Sequence, residues 1–224
     1  MRRIIVAVDG YSSCGKSTIA KALAKYAGYT YVDTGAMYRA VALYAQRAGI
    51  ANCPEEIVSM LADIHISFVQ TPSGQHVTLN GEDVEGYIRS LEVGNMASQI
   101  STIKEVRAFL VAQQQAMGLD KGIVMDGRDI GTVVFPQAEL KLFLTASAEV
   151  RAERRMKELE GKGEQPVWEE VLADVNDRDY RDTHRTESPL RQADDAIVVD
   201  NSQMTREQQM EHIIHLFDQA VGKN

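Results

Sequence analysis

Only two cysteines, Cys14 and Cys53, occur among the 224 residues. Two thiols make neither a disulfide framework nor a zinc-ligand spacing, which fits a reduced, cytoplasmic setting. No apolar run approaches the roughly 18 residues that a membrane span requires. Met1-Arg2-Arg3 followed by Ile4–Val8 has the outline of a secretory leader, but the apolar stretch is short and Asp9 ends it. No membrane association is expected. Positive charge is also scarce, with 24 Lys plus Arg against 32 Asp plus Glu and a net charge of −8. Nucleic-acid binders draw affinity from neutralising phosphates, so this balance argues against one. Local basic clusters can still hold small phosphates. Repeats, low-complexity tracts and interdomain linkers are missing. So is the Asn-Lys-x-Asp pattern with which a GTPase switch reads guanine. The remaining composition, 44% hydrophobic and 25% charged, is that of an ordinary globular domain with an ample core.

What is present begins at residue 10. Gly10-Tyr11-Ser12-Ser13-Cys14-Gly15-Lys16-Ser17 is the phosphate-binding loop pattern, Gly, four residues, then Gly-Lys-Ser. The apolar run before it reads as a buried strand, and Thr18–Ala27 after it reads as a helix. Strand, loop and helix together aim backbone N–H groups and a positive dipole end at a polyphosphate. Lys16 reaches the β- and γ-phosphates and the Ser17 hydroxyl ligates Mg²⁺ in such loops. Cys14 reads as a small residue filling loop space rather than as a redox group.

Strand-like and helix-like runs alternate along the chain, as in a parallel α/β sheet. The expected core strands are Ile4–Asp9, Tyr29–Val32, Ile123–Asp126, Lys141–Thr145 and Ala196–Asp200. Continuous apolar runs such as Ile123-Val124-Met125 suit strands buried on both faces. Helices are expected over Ala36–Arg47, Ile103–Gly118, Glu149–Glu160, Trp168–Arg185 and Thr205–Val221. Between His65 and Asn80 the period changes to two, interrupted by Thr71-Pro72-Ser73-Gly74 and followed by Asn80-Gly81. This predicts a small antiparallel insert outside the core sheet. Gly161, Gly163 and Pro166 predict an exposed, mobile connection between two helices.

Three further clusters carry charge. Asp33-Thr34-Gly35-Ala36-Met37-Tyr38-Arg39 opens a helix that Thr34 is expected to cap. Asp126-Gly127-Arg128-Asp129-Ile130-Gly131-Thr132 follows a core strand, where open α/β sheets bind ligands. Asp126 there resembles the acidic strand end that supports Mg²⁺ in P-loop proteins. Arg178, Arg181, Asp182 and Arg185 have the spacing i, i+3, i+4, i+7, which predicts one helix face with net positive charge. Arginine forks match phosphate oxygens. Arg151, Arg154 and Arg155 flank the mobile connection as an arginine-bearing lid would.

In this order the blocks resemble the bacterial cytidylate kinase (CMP kinase) family, over nearly the whole chain. Asp33–Arg39, Gly81-Glu82-Asp83-Val84 with Ile88-Arg89, Glu92-Val93 and Ala97-Ser98, Asp126–Pro136, and Arg178–Arg185 carry the likeness. It implies an α/β, P-loop nucleoside monophosphate kinase fold. A parallel five-stranded core sheet would be flanked by helices. An NMP-binding lobe, about 34–108, would carry the antiparallel insert, and a short lid would span about 151–168, all in one kinase domain. It implies transfer of the γ-phosphoryl group of ATP to CMP, and to dCMP, by a cytoplasmic monomer. ATP would be held by Gly10, Tyr11, Ser12, Ser13, Cys14, Gly15, Lys16, Ser17 and Thr18. Mg²⁺ would sit on Ser17, with Asp33 or Asp126 acting through water. Ser98, Arg107 and Asp129 would read the base. Thr34, Arg39, Arg128 and Arg185 would hold the acceptor phosphate, and Arg178 and Asp182 the ribose. Lys16, Arg128, Arg154 and Arg181 would serve the transfer itself. The chain departs from the family's habit at Tyr11, Ser13 and Cys14, where Pro, Gly and Ala are frequent, and at Thr34, where Ser is usual. The nearest rival is another P-loop small-molecule kinase, acting on UMP, shikimate or dephospho-coenzyme A. An NTP-binding regulator without turnover would have no use for two phosphate sites.

Overall fold

The computed structural model describes residues 2–72 and 74–222, so Met1 and Ser73 of the expected turn lie outside the described residues. In chain order the elements are β1 (Ile5–Gly10), α1 (Lys16–Ala27), β2 (Thr30–Asp33), α2 (Thr34–Arg47), α3 (Pro54–Ser59), β3 (Ile66–Thr71), β4 (Gly74–Leu79) and β5 (Glu82–Asp83). They continue with α4 (Leu91–Ile100), α5 (Lys104–Met117), β6 (Ile123–Asp126), β7 (Leu140–Thr145), α6 (Ala148–Gly161), α7 (Trp168–His184), β8 (Ile197–Asp200) and α8 (Arg206–Val221). Two compact units result. One joins the segments up to Tyr31 and from Met117, and the other is Val32–Ala116.

The first unit is built on a five-stranded sheet in the order β2-β6-β1-β7-β8. β1 pairs in parallel with β6 and β7, and β7 with β8. All six residues of β1 and all four of β6 are buried, as their unbroken apolar runs demand. β8 departs from that expectation. As an edge strand it buries only Val199 and leaves Ile197 and Val198 exposed. α1 turns Ile19, Ala20, Leu23 and Ala24 inward at helical spacing, and Gly28 ends it in the left-handed conformation at φ 67°. α8 starts with a capping box between Thr205 and Gln208 and delivers the fully buried Phe217 to the same core. Deleting that ring would cost about 3–5 kcal/mol. α6 and α7 share a separate apolar cluster of Ala152, Leu159, Val171 and Val175.

The second unit holds α2 to α5 and the antiparallel insert. β3 and β4 pair from Ile66↔Leu79 to Thr71↔Gly74, and the short β5 adds a third strand that the sequence pattern did not announce. Asn80 (φ 50°) and Gly81 (φ 85°) supply the two positive-φ positions that a tight hairpin turn requires. α3 and α4 are also additions. α4 is capped by Ser90, whose hydroxyl accepts from the Val93 N–H. One expectation is corrected: Thr34 does not cap α2. The cap is Asp33, whose Oδ1 accepts from Ala36 N at 2.9 Å, and Thr34 is the first helical residue. The charged carboxylate one residue earlier reaches the free N–H groups directly.

Candidate active site

The phosphate loop folds as its glycines dictate. Gly10 has φ 145°, and a Cβ there would lie 2.0 Å from the Leu144 carbonyl oxygen of β7. Only glycine fits so close to a neighbouring strand. Gly15, at φ 83°, turns the chain into α1. Ser12 and Cys14 are buried between these points. Lys16 is not a side chain on an exposed loop. It opens α1, is buried, and its Nζ donates to Tyr11 O at 2.5 Å. Burial, followed by the nearby Arg128 guanidinium, depresses its pKa from 10.5 to about 7.

Ser17 Oγ donates to Asp126 Oδ2 at 2.8 Å, and Tyr31 Oη donates to Asp126 Oδ1 at 2.7 Å. A hydroxyl and a carboxylate in contact beside a phosphate loop are the hard oxygen donors that Mg²⁺ prefers. Asp33, the other candidate, is committed elsewhere. Its Oδ1 caps α2 and its Oδ2 accepts both terminal nitrogens of Arg89 at 3.0 Å.

Beyond β6 the chain enters a π-helical turn, residues 130–134, a form that recurs at functional sites. Arg128 Nε donates to Asp182 Oδ2 at 2.7 Å. Burial alone would raise the Asp182 pKa, but Arg128, Arg178 and Arg185 hold it below the usual carboxylate range. Arg185 Nη2 lies 3.9 Å from Asp129 Oδ1, and its Nε is fixed by Ser188 O at 2.8 Å. The expected four-residue stripe is corrected at its end. α7 stops at His184, and Arg185 leaves the helix with ψ 144°. Leaving the helix is what lets Arg185 turn back toward Asp129. Arg178, Arg181 and Asp182 do lie on α7. Arg181 is held by its own helix, Nε donating to Asp177 O at 3.4 Å.

The arginines of α6 are anchored unequally. Arg151 pairs with Asp179 at 2.6 Å and lies over the Tyr11 ring at 5.2 Å. Arg154 binds one residue twice, donating to Asn201 Oδ1 at 2.8 Å and Asn201 O at 2.9 Å. Asn201 in turn donates from Nδ2 to Cys14 O at 2.8 Å. Sequence reading missed Asn201. Its signal was faint, a lone amide after a strand.

In the second unit, Thr34 is buried at the start of α2, and Arg39 follows on the same helix. Arg39 Nη2 would lie 3.7 Å from a Cβ on Gly94, so that glycine leaves room for the guanidinium. Arg107 donates to Ser101 O at 3.1 Å and lies over the Tyr38 ring at 5.6 Å. Ser98 Oγ is buried with no hydrogen-bond partner among the described residues. Natural proteins rarely leave a buried hydroxyl so, and a ligand is a common explanation. No group of three or more His, Cys, Asp or Glu among the described residues could cage a metal by itself. No helix among them is long and apolar enough to cross a membrane.

Comparison with known proteins agrees in one direction. The cytidylate kinase family model matches residues 6–219. A cytidylate kinase of Parabacteroides distasonis is 56% identical over 99% of this chain and 100% of its own length. A cytidylate kinase of Bacteroides thetaiotaomicron is 52% identical over 99% of each. Among solved structures, an uncharacterised protein of Eubacterium ventriosum superposes with a TM-score of 0.52 at 12% identity, over 97% of this chain and 99% of that one. That likeness speaks to the fold alone.

Proposed function

The chain belongs to the cytidylate kinase family, ATP-dependent phosphotransferases that act on CMP, and we propose that its residues divide the work as follows. The loop Gly10–Thr18 holds the ATP phosphates, with Lys16 giving up its bond to Tyr11 O for the β- and γ-phosphates. Ser17 and Asp126 would hold Mg²⁺, which would supply positive charge to offset that of the phosphates. Arg128 and Arg185 hold the acceptor phosphate together with Thr34 and Arg39. Asp182 accepts from a sugar hydroxyl, and Arg178 steadies it. Asp129 accepts from the cytosine amino group, with Ser98 and Arg107 reading the rest of the base. Arg154 and Arg181 neutralise charge on the moving phosphoryl group, for which Arg154 must leave Asn201. The acceptor is already an anion, so no strong general base is needed. The chemistry is positioning and electrostatic stabilisation. dCMP is accepted as well, and the protein works as a cytoplasmic monomer.

The observation that carries this reading is the linked cluster Arg128–Asp182 and Asp129–Arg185 beside the phosphate loop strand. A lone phosphate loop needs no second set of buried guanidinium groups. An ADP-release assay with CMP, dCMP, UMP, AMP and shikimate tests it. CMP and dCMP should lead. Preference for UMP, AMP or shikimate would refute the acceptor, and a multimer on gel filtration would refute the monomer.

A further inference from the structure

Asp9 is a buried acid that this scheme leaves unused. It sits at the end of β1, one residue before the phosphate loop, and is almost fully enclosed. Its carboxylate makes two bonds to another part of the chain. Oδ1 accepts from Ile130 N at 2.9 Å, and Oδ2 accepts from Gly131 N at 2.7 Å. These are the first two amides after Asp129, where the π-helical turn begins. N–H groups at the start of a helical turn have no partner within it, and a carboxylate supplies two acceptors at once. The turn then closes through Val134 N to Asp129 O at 3.2 Å and Phe135 N to Ile130 O at 2.7 Å.

The placement is electrostatically unfavourable by choice of residue. Burial, with Asp129 adding to it, raises the Asp9 pKa to about 6, against the two N–H bonds and Lys16. What the carboxylate offers in exchange is two acceptors for two adjacent N–H groups, which an amide cannot match. The contact is also tight from the other side. A Cβ on Gly131 would lie 3.3 Å from Asp9 Oδ2 and 3.1 Å from Lys141 Cδ.

We propose that Asp9 is a positioning residue for acceptor recognition: through the Ile130 and Gly131 amides it fixes the backbone that aims Arg128 and Asp129. It touches neither substrate. It acts on cytosine selection although it belongs to the strand that carries the phosphate loop. The inference rests on the assignment of Asp129 to the cytosine amino group.

The test is a cycle of Asp9→Asn, Asp129→Ala and the double variant, with kcat and KM for CMP, UMP and ATP. Asn at position 9 keeps one acceptor and turns its amide against the other N–H. The expected result for Asp9→Asn is a drop in kcat/KM for CMP of roughly tenfold or more. The CMP/UMP ratio should fall, and KM for ATP should stay within about threefold. The double variant should have the CMP/UMP ratio of Asp129→Ala alone, because Asp9 acts through Asp129. Independent, multiplying effects would overturn the proposal, as would a rise in KM for ATP that matches the loss on CMP. An Asp129→Ala enzyme with an unchanged CMP/UMP ratio would instead refute the base assignment and take the proposal down with it. Gly131→Ala crowds the same carboxylate without removing its charge, and serves if Asp9→Asn does not fold. It should lower the CMP/UMP ratio in the same direction, and wild-type selectivity there would also overturn the proposal.

Discussion

The proposed role of Lys16 at the ATP phosphates predicts that ATP binding takes up protons. In the free protein its pKa is depressed from 10.5 to about 7, by burial first and by Arg128 second. Arg128 does not yield, because Asp182 holds it charged. When a polyphosphate arrives, the Lys16 ammonium gains an anion and its pKa returns toward the ordinary value. At pH 8, above the depressed value, Lys16 is mostly unprotonated in the free protein and protonated in the complex, so binding should take up most of a proton. At pH 6 the uptake should be near 0.1. Because protons are bound along with ATP, affinity falls as pH rises. Between pH 8 and 9 Kd should weaken about ninefold. The stability of the ligand-free fold runs the other way. The unfolded chain binds the Lys16 proton more strongly, so this group's contribution to stability increases from pH 7 toward 10.5. Isothermal titration with Mg·ATP, without CMP, in buffers of different ionisation enthalpy gives the proton count as a slope. Mg·ATP is itself fully ionised at pH 8, so the slope reports the protein. Lys16→Arg, which stays charged, should abolish it. A slope near zero for the wild type at pH 8 would refute the argument.

Other expectations follow from single contacts. Lys16→Ala should abolish turnover, with circular dichroism still showing a folded protein. Ser98→Ala should leave the melting temperature unchanged or slightly higher, since it removes a buried hydroxyl with no partner, yet raise KM for CMP; a lower melting temperature with normal KM would make Ser98 merely structural. Arg185→Ala should raise KM for CMP and lower kcat, together by roughly ten- to a hundredfold, while Arg181→Ala should mainly lower kcat; near-wild-type values for both would reduce these residues to a solvated charged face. Asn201→Ala loses the seat of Arg154 and a bond to the phosphate loop, so it should cost about 1–3 kcal/mol in denaturant unfolding and raise KM for ATP.

Much of this was legible in the chain because local chemistry and global fold agree there. The run before Gly10 could only be a central strand, and Gly-Lys-Ser could only turn into a helix. β6 appears where the apolar triplet and Asp126 put it. Legibility failed where a residue's partner lies far away in sequence. Asp9 looked like a strand terminator, and its bonds to Ile130 and Gly131 span more than a hundred positions. Asn201 carries no local pattern that reveals Cys14 O or Arg154. Periodicity extended the α7 stripe through Arg185, because nothing in the spacing shows a helix ending one residue early. Thr34 was read as the cap since hydroxyls often cap, but Asp33 beside it does so with a charge. α4, interrupted by Gly94 and Asn95, has too weak a pattern to be read as a helix, yet it carries Ser98.

The strand order has a consequence for synthesis. β1 leaves the ribosome well before its two neighbours, β6 and β7, which follow more than a hundred residues later. At cellular elongation rates its apolar face waits on the order of ten seconds for a partner. The intervening segment, Val32–Ala116, is a compact unit of contiguous sequence and can close during that delay. Vectorial synthesis therefore favours a nascent chain in which Val32–Ala116 is ordered while the phosphate loop, translated before it, takes shape only after β6 and β7 arrive. Until then Ile5-Val6-Ala7-Val8 is an unpaired apolar strand, exposed to aggregation.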